Sequence, residues 1–245
     1  MGEKKLTPED ELPVSEHIEE LRSRLIRCAV AVVIGFLVAW PFKKEVLKFL
    51  ERPLPENLHG KLVFLSPPEA FITALKVSLF AGIVIALPYI LFQVWRFVEP
   101  GLYEHEKKLI LPFMFFSLFF FILGLVFAYY VILPFGLRFL LGFMSELLTP
   151  QITVGNYISF VIQLMLAFGF VFLLPVLMWL FSKLGIVNAG ILERNRKFAI
   201  LGIFIISAVL TPPDAFSQVM MALPLMGLYE ISIWVAKIAG KSLTD

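Results

Sequence analysis

Apolar positions along this 245-residue chain fall in long unbroken runs separated by short polar knots, not in strict alternation. Runs of that kind predict helices able to cross a bilayer, which takes about 20 residues. Residues 1–14 are mostly polar; Ser15 then reads as the N-cap of an amphipathic stretch that passes straight into the first run, about 25–42. The connection 43–65 is charged and carries Pro53, Pro55 and Gly60, so it predicts a loop with one helical piece. Ser66-Pro67-Pro68-Glu69 has the form of a capping box and opens a second run, about 71–94, expected to bend or break at Pro88. The third run, 109–133, is closed by Pro134, and the short apolar piece 137–148 is expected to lie along the interface or on the bundle. The fourth, 157–180, contains Pro175. The fifth, 198–210, turns through Thr211-Pro212-Pro213-Asp214, with Asp214 as structural cap, into the sixth, about 215–236.

The expected fold is therefore an all-α integral membrane protein of six transmembrane helices in one membrane domain. The fifth run covers only 13 residues, ~20 Å of helix against ~30 Å of hydrocarbon. The fifth and sixth spans are thus expected to be short and to thin the bilayer around them. A re-entrant pair would leave the backbone of its tight turn unsatisfied in oil unless protein covered it. Composition agrees with this class: 59% of residues are hydrophobic and 26 are Phe, well above the usual share for soluble domains. The single cysteine, Cys28, excludes an internal disulfide.

Charge sets the expected orientation. Most of the 21 lysines and arginines fall on one side, at both termini and in the segments around 96–108 and 183–197. The opposite side carries Lys43, Lys44, Lys48, Arg52, Lys61 and Arg138. The positive-inside rule then places both ends in the cytoplasm. Two acidic positions stand out at that rim. In "SEHIEELRSRLIR", the 100° step of a helix sets His17, Glu20, Arg24 and Arg27 along one flank. In "GLYEHEKKLILP", Glu106 opens the third run, where a helix dipole favours a carboxylate by ~0.3–1 kcal/mol. Glu20 paired with Arg24 as an ordinary surface ion pair accounts for the first. The alternative is an acidic receptor at the lip of the membrane for a cationic partner. Arginine fits that receptor better than lysine, because its planar fork meets a carboxylate with two parallel hydrogen bonds. Lys76 reads as a snorkelling side chain, and Gln163 and Gln218 as polar groups seeking partners across helices.

Catalytic signals are absent. "AGKS" at Ala239–Ser242 lacks the first glycine and the preceding strand of a phosphate-binding loop, and no hydrolase or zinc motif occurs. The expectation is a non-enzymatic protein without cofactor or metal.

Several of these landmarks together resemble the TatC family, the multi-spanning receptor subunit of the twin-arginine translocase. They are "HIEELRSRL", "ERPL", "SPPEAF", "LPYILFQVWRFVEPGLYEHEKKLILP" and "LTPPDAFSQ", in order from His17 to Gln218. The resemblance implies a cupped six-helix fold in the inner membrane and recognition of paired-arginine signal peptides on folded cargo. It assigns peptide binding to Glu20 and Glu106, with Leu21, Arg22, Leu102, Tyr103, Lys107 and Lys108 around them. It implies single-span TatA-type and TatB-type partners meeting Thr211 and Gln218, and the proton-motive force as the energy source. Where some members carry a glutamate in the fourth span, two residues before the proline, this chain has Leu173. A secondary carrier or channel for a small solute is the competing function, and a ligand-free scaffold the third; the first would place ionisable groups mid-membrane and show internal repeats.

Overall fold

The long apolar runs fold as helices, each satisfying its own backbone as oil demands. The structure, a computed structural model, describes residues 14–99, 110–142, 151–185, 187–210 and 215–241. In chain order the helices are α1 (Val14–Ala39), α2 (Lys43–Glu51), α3 (Pro67–Val98), α4 (Ile110–Phe127), α5 (Leu133–Gly142), α6 (Val154–Val171), α7 (Leu174–Lys183), α8 (Ala189–Arg194), α9 (Arg196–Leu210) and α10 (Ala215–Lys241). Among the described residues, five units are long and apolar enough to cross a membrane: His17–Glu51, Pro67–Val98, Ile110–Gly142, Val154–Lys183 and Gln218–Ile238. With 15 residues, α9 is the short one, ~22 Å end to end.

The prolines act differently from their sequence reading. Pro88 does not break α3, which is helical from Pro67 to Val98. Pro134 does not close the third unit either. A π turn, Ala128–Ile132, joins α4 to α5, with the Leu133 N–H bonded to the Ala128 carbonyl. Proline has no N–H and its ring crowds the carbonyl four residues back, and the wider turn makes room for it. Residues 137–142 therefore continue the third unit and do not lie along the interface. Pro175 is where an interruption does occur: helix stops at Phe172 and Leu173, and α7 restarts with the proline in its first turn. The last helix outruns its apolar segment. It reaches Lys241, and Lys237 pairs with Glu193 of α8 at 2.5 Å, so α10 is long enough to cross where a short helix was expected. α1 begins at Val14, which puts Ser15 inside the first turn and not ahead of it.

The capping box at α3 forms by half. Ser66 occupies the N-cap but its side chain makes no cap hydrogen bond. Glu69 Oε2 accepts from the Leu65 N–H at 2.7 Å, and Oε1 accepts from the Gly155 N–H of α6 at 2.9 Å. The carboxylate thus joins the N-termini of two helices. Beside it, Val63 N–H bonds the Ile152 carbonyl at 3.1 Å and Val154 N–H bonds the Val63 carbonyl at 2.8 Å. Asp214, the other expected cap, lies outside the described residues.

Three helix pairs carry the packing: α1 along α3, α4 along α6 with α3 beside it, and α7 along α10. Glycines allow the closest approaches. A Cβ on Gly82 of α3 would stand 2.5 Å from the Phe36 nitrogen of α1, and one on Gly35 would meet the Gly82 carbonyl. In the main core Phe121 and Phe168 are fully buried, as is Leu50 of the short α2. α2 is held by its end: the Tyr129 hydroxyl donates to the Phe49 carbonyl at 2.7 Å and the Tyr157 hydroxyl to the Leu50 carbonyl at 2.8 Å. Those carbonyls belong to the last turn, where intrahelical donors run out; the Phe49 carbonyl also accepts from the Arg52 N–H at 3.2 Å. By contrast α1 exposes apolar side chains along its length, among them Leu25, Val33 and Leu37. On a membrane protein that is a surface for lipid or for other helices.

Candidate functional site

The four side chains expected to share one flank, His17, Glu20, Arg24 and Arg27, lie on α1, and three of them come together against α3. Glu20 sits in the second turn, and Arg24 one turn later points back to it. Arg24 Nε donates to Glu20 Oε1 at 2.9 Å, and Nη2 contacts the same oxygen. Both guanidinium donors therefore converge on one carboxylate oxygen. The other, Oε2, stands 3.9 Å from His17 Nδ1. Arg24 also reaches across, its Nη1 donating to Gln93 Oε1 of α3 at 3.3 Å. Gln93 is 4% exposed, and a buried amide oxygen needs a donor. One turn further along α3, Phe97 stacks on the His17 ring, with centroids 4.3 Å apart and planes 18° from parallel.

The result is a carboxylate fixed in direction yet still accessible. The Glu20 side chain is 25% exposed and that of Arg24 15%. One oxygen is engaged, leaving acceptor capacity on the second. Leu21 and Arg22 are exposed. Arg27 does not join the cluster and makes no ion pair among the described residues. The pair at i,i+4 expected from spacing is present, and the structure adds the tether to α3.

Gln93 and Phe97 were missed in the sequence, although a signal existed. Gln93 is the one strongly polar side chain inside "ALPYILFQVW", and Phe97 follows it by four residues on the same helical face. Nearby, Trp95 is buried edge-to-face against Phe113 of α4, centroids 4.2 Å apart. That contact fixes the end of α3 to the start of α4, on either side of residues 99–109. Glu106, Leu102, Tyr103, Lys107 and Lys108 fall there and lie outside the described residues, as does Thr211.

The two glutamines found their cross-helix partners, both on α9. Gln163 Nε2 donates to the Val209 carbonyl at 3.4 Å, and Gln218 Nε2 to the Phe204 carbonyl at 3.1 Å. Lys76 does not snorkel freely: its Nζ donates to the Ser159 hydroxyl of α6 at 2.7 Å. Among the described residues no three His, Cys, Asp or Glu side chains gather as metal ligands.

Residues 16–224 match the family described as Sec-independent protein translocase protein (TatC). The chain belongs to the TatC family. Its relatives include the TatC proteins of Desulforapulum autotrophicum, 43% identical over 95% of this chain and 87% of that one, and of Aquifex aeolicus, 43% identical over 93% and 96% respectively. Among solved structures it is similar to one described as the twin arginine translocase receptor TatC, with a TM-score of 0.83 and 43% identity. That likeness covers 91% of this chain and 99% of the solved one. The family supplies what sequence reasoning expected of it: an all-helical, six-helix membrane protein that takes part in Sec-independent protein translocation and is not an enzyme.

Proposed function

We propose that this chain is the receptor of twin-arginine translocation, with both termini on the cytoplasmic side of the inner membrane. It binds the paired-arginine signal peptides of folded cargo through Glu20 and Glu106, with Leu21, Arg22, Leu102, Tyr103, Lys107 and Lys108 contributing the surrounding surface. TatA-type and TatB-type single-span subunits assemble on it near Thr211 and Gln218, and translocation draws on the proton-motive force. The observation that carries this reading is Glu20, whose carboxylate is oriented by Arg24 and Gln93 yet keeps one oxygen for an incoming donor. That an internal arginine already occupies the first oxygen supports a guanidinium as the chemistry the second one selects. The solved TatC receptor, 43% identical, supports the same assignment.

The test is signal-peptide binding to the full-length protein in lipid nanodiscs. A paired-arginine peptide should bind more tightly than its paired-lysine counterpart, and Glu20→Ala and Glu106→Ala should each weaken it. Undiminished binding in both variants ends the proposal. Accessibility labelling of residues 103–108 from the external side of the membrane would equally end it.

A further inference from the structure

At the opposite end of α3 from Glu20 lies a polar cavity of about 290 Å³ between α3 and α6, lined by Leu65, Ser66, Glu69, Thr73, Lys76 and Asn156 among others. Two opposite charges border it without pairing to each other. Glu69 is tied to α6 at the Gly155 N–H and Lys76 at the Ser159 hydroxyl, which itself donates to the Gly155 carbonyl at 2.6 Å. Their anchors on α6 are four residues apart, ~6 Å along the helix. The Glu69 oxygens accept from the Leu65 and Gly155 N–H groups, with the Ser66 N–H also within reach, and a carboxylate offers about four acceptor sites in all.

Lys76 is misplaced for a lone cation. The Trp40 ring meets Phe71 edge-on at 6.3 Å, and tryptophan is enriched at membrane–water interfaces. Lys76 stands five residues further along α3, ~7.5 Å along the helix axis; it is exposed, shares the cavity with Glu69, and makes no ion pair among the described residues. Thr73, one turn before it, is 2% exposed, lines the same cavity, and its hydroxyl has no partner. A buried hydroxyl without a partner and an ammonium bonded only to a hydroxyl both have donors to spare for an acceptor entering the cavity. The rim is the reverse in character: Phe64, Leu65, Phe71 and Ile72 are exposed apolar side chains.

We propose that this cavity binds the head group of a zwitterionic phospholipid, phosphatidylethanolamine. Its phosphate takes Lys76 and the Thr73 hydroxyl, its ammonium takes Glu69 nearer the surface, and its acyl chains cover the apolar rim. The order of charges matches the lipid: ammonium outward, phosphate deeper. A primary ammonium donates hydrogen bonds to Glu69, which a trimethylammonium cannot, and a glycerol head has no cation for it.

The experiment is native mass spectrometry of the detergent-purified full-length protein, titrated with phosphatidylethanolamine, phosphatidylcholine or phosphatidylglycerol of identical chains. Phosphatidylethanolamine should be retained preferentially, and Lys76→Gln should lower its occupancy about tenfold, the scale of one charge-assisted hydrogen bond. Glu69→Gln keeps one oxygen to accept a backbone N–H but removes the charge, and should abolish the preference over phosphatidylglycerol without abolishing binding. Lys48→Gln, on α2 away from the cavity, should change nothing. Equal retention of the three lipids by the unsubstituted protein overturns the proposal, as does unchanged ethanolamine-lipid occupancy in Lys76→Gln.

Discussion

Gly82→Ala adds a single methyl group where α1 and α3 cross, and the structure sets its cost. The new Cβ would lie 2.5 Å from the Phe36 nitrogen and 2.8 Å from its Cα. Both are backbone atoms, so no side chain can swing aside. Ordinary contact begins near 3.4 Å, and the helices must separate locally by about 0.9 Å. Overpacking of that kind costs ~1–3 kcal/mol, against which alanine's helix propensity returns up to ~1 kcal/mol. The net destabilisation is about 1–2 kcal/mol, a fall in apparent Tm of roughly 2–8 °C for a chain of this size. Gly202 and Gly227 are also helical but have no atoms within 4 Å of the added methyl. Alanine at either should leave Tm unchanged or raise it. Thermal melts of the three purified variants in one detergent make the comparison. If Gly82→Ala melts with Gly202→Ala and Gly227→Ala, the close crossing of α1 and α3 does not exist, and the placement of Glu20 against Gln93 loses its support.

Glu20→Gln keeps an acceptor for Arg24 and removes the charge; at a partly exposed carboxylate the loss should be about 1 kcal/mol, roughly fivefold weaker binding of a paired-arginine peptide by fluorescence anisotropy. Tyr157→Phe leaves the Leu50 carbonyl without its buried donor and should cost ~1–2 kcal/mol, read as a lower melting temperature with peptide binding intact. The hydrogen bond and charge of Lys237, assisted by Arg196, hold the Glu193 carboxyl below its usual range. A depressed folded-state value stabilises above the unfolded one, near ~4.3, and that stability is lost as pH falls through the folded value. Lys237→Met should therefore lower Tm at pH 7, and the difference should shrink on acidification below about pH 4 and with added salt, since both side chains are substantially exposed.

The helices were legible because hydrophobic length is a local property: each long apolar run became one membrane-crossing unit. What the prolines do was not legible, because tolerance is decided by neighbours. A π turn absorbs Pro134, and nothing local in "YYVILPFG" announces it. The capping box was legible only by half, for the same reason. Glu69 spends one oxygen on Gly155, 86 positions away in sequence, a partner that no pattern within four residues can name. At the candidate site the 100° step put His17, Glu20 and Arg24 on one flank correctly, since all three share α1. Their α3 partners, Gln93 and Phe97, needed the antiparallel pairing of two helices. Arg27 shares the flank by angle but lies a turn further on, past the partners α3 offers.

The two ends of α1 are held by unlike forces, and the difference bears on how a peptide could be received. Its far end runs through a 3-10 turn, Trp40–Phe42, into α2, which is fastened by two tyrosine hydroxyls and a fully buried Leu50. Between lies the glycine crossing, where backbone meets backbone and neither helix can yield. The near end has none of this. His17 to Arg24 meet α3 through one aromatic stack and one long hydrogen bond, and Arg24 is tied to Glu20 within α1 by a partly exposed ion pair worth only ~0.3–0.5 kcal/mol. Few contacts mean a low local opening cost. Under the proposed function, an incoming arginine would meet the second Glu20 oxygen, and the first turns of α1 can yield without disturbing the crossing below. Rigidity at Gly35–Gly82 and looseness at Glu20 are complementary, since the crossing fixes where α1 lies against α3 while the weak tether leaves the Glu20 side chain room to adjust.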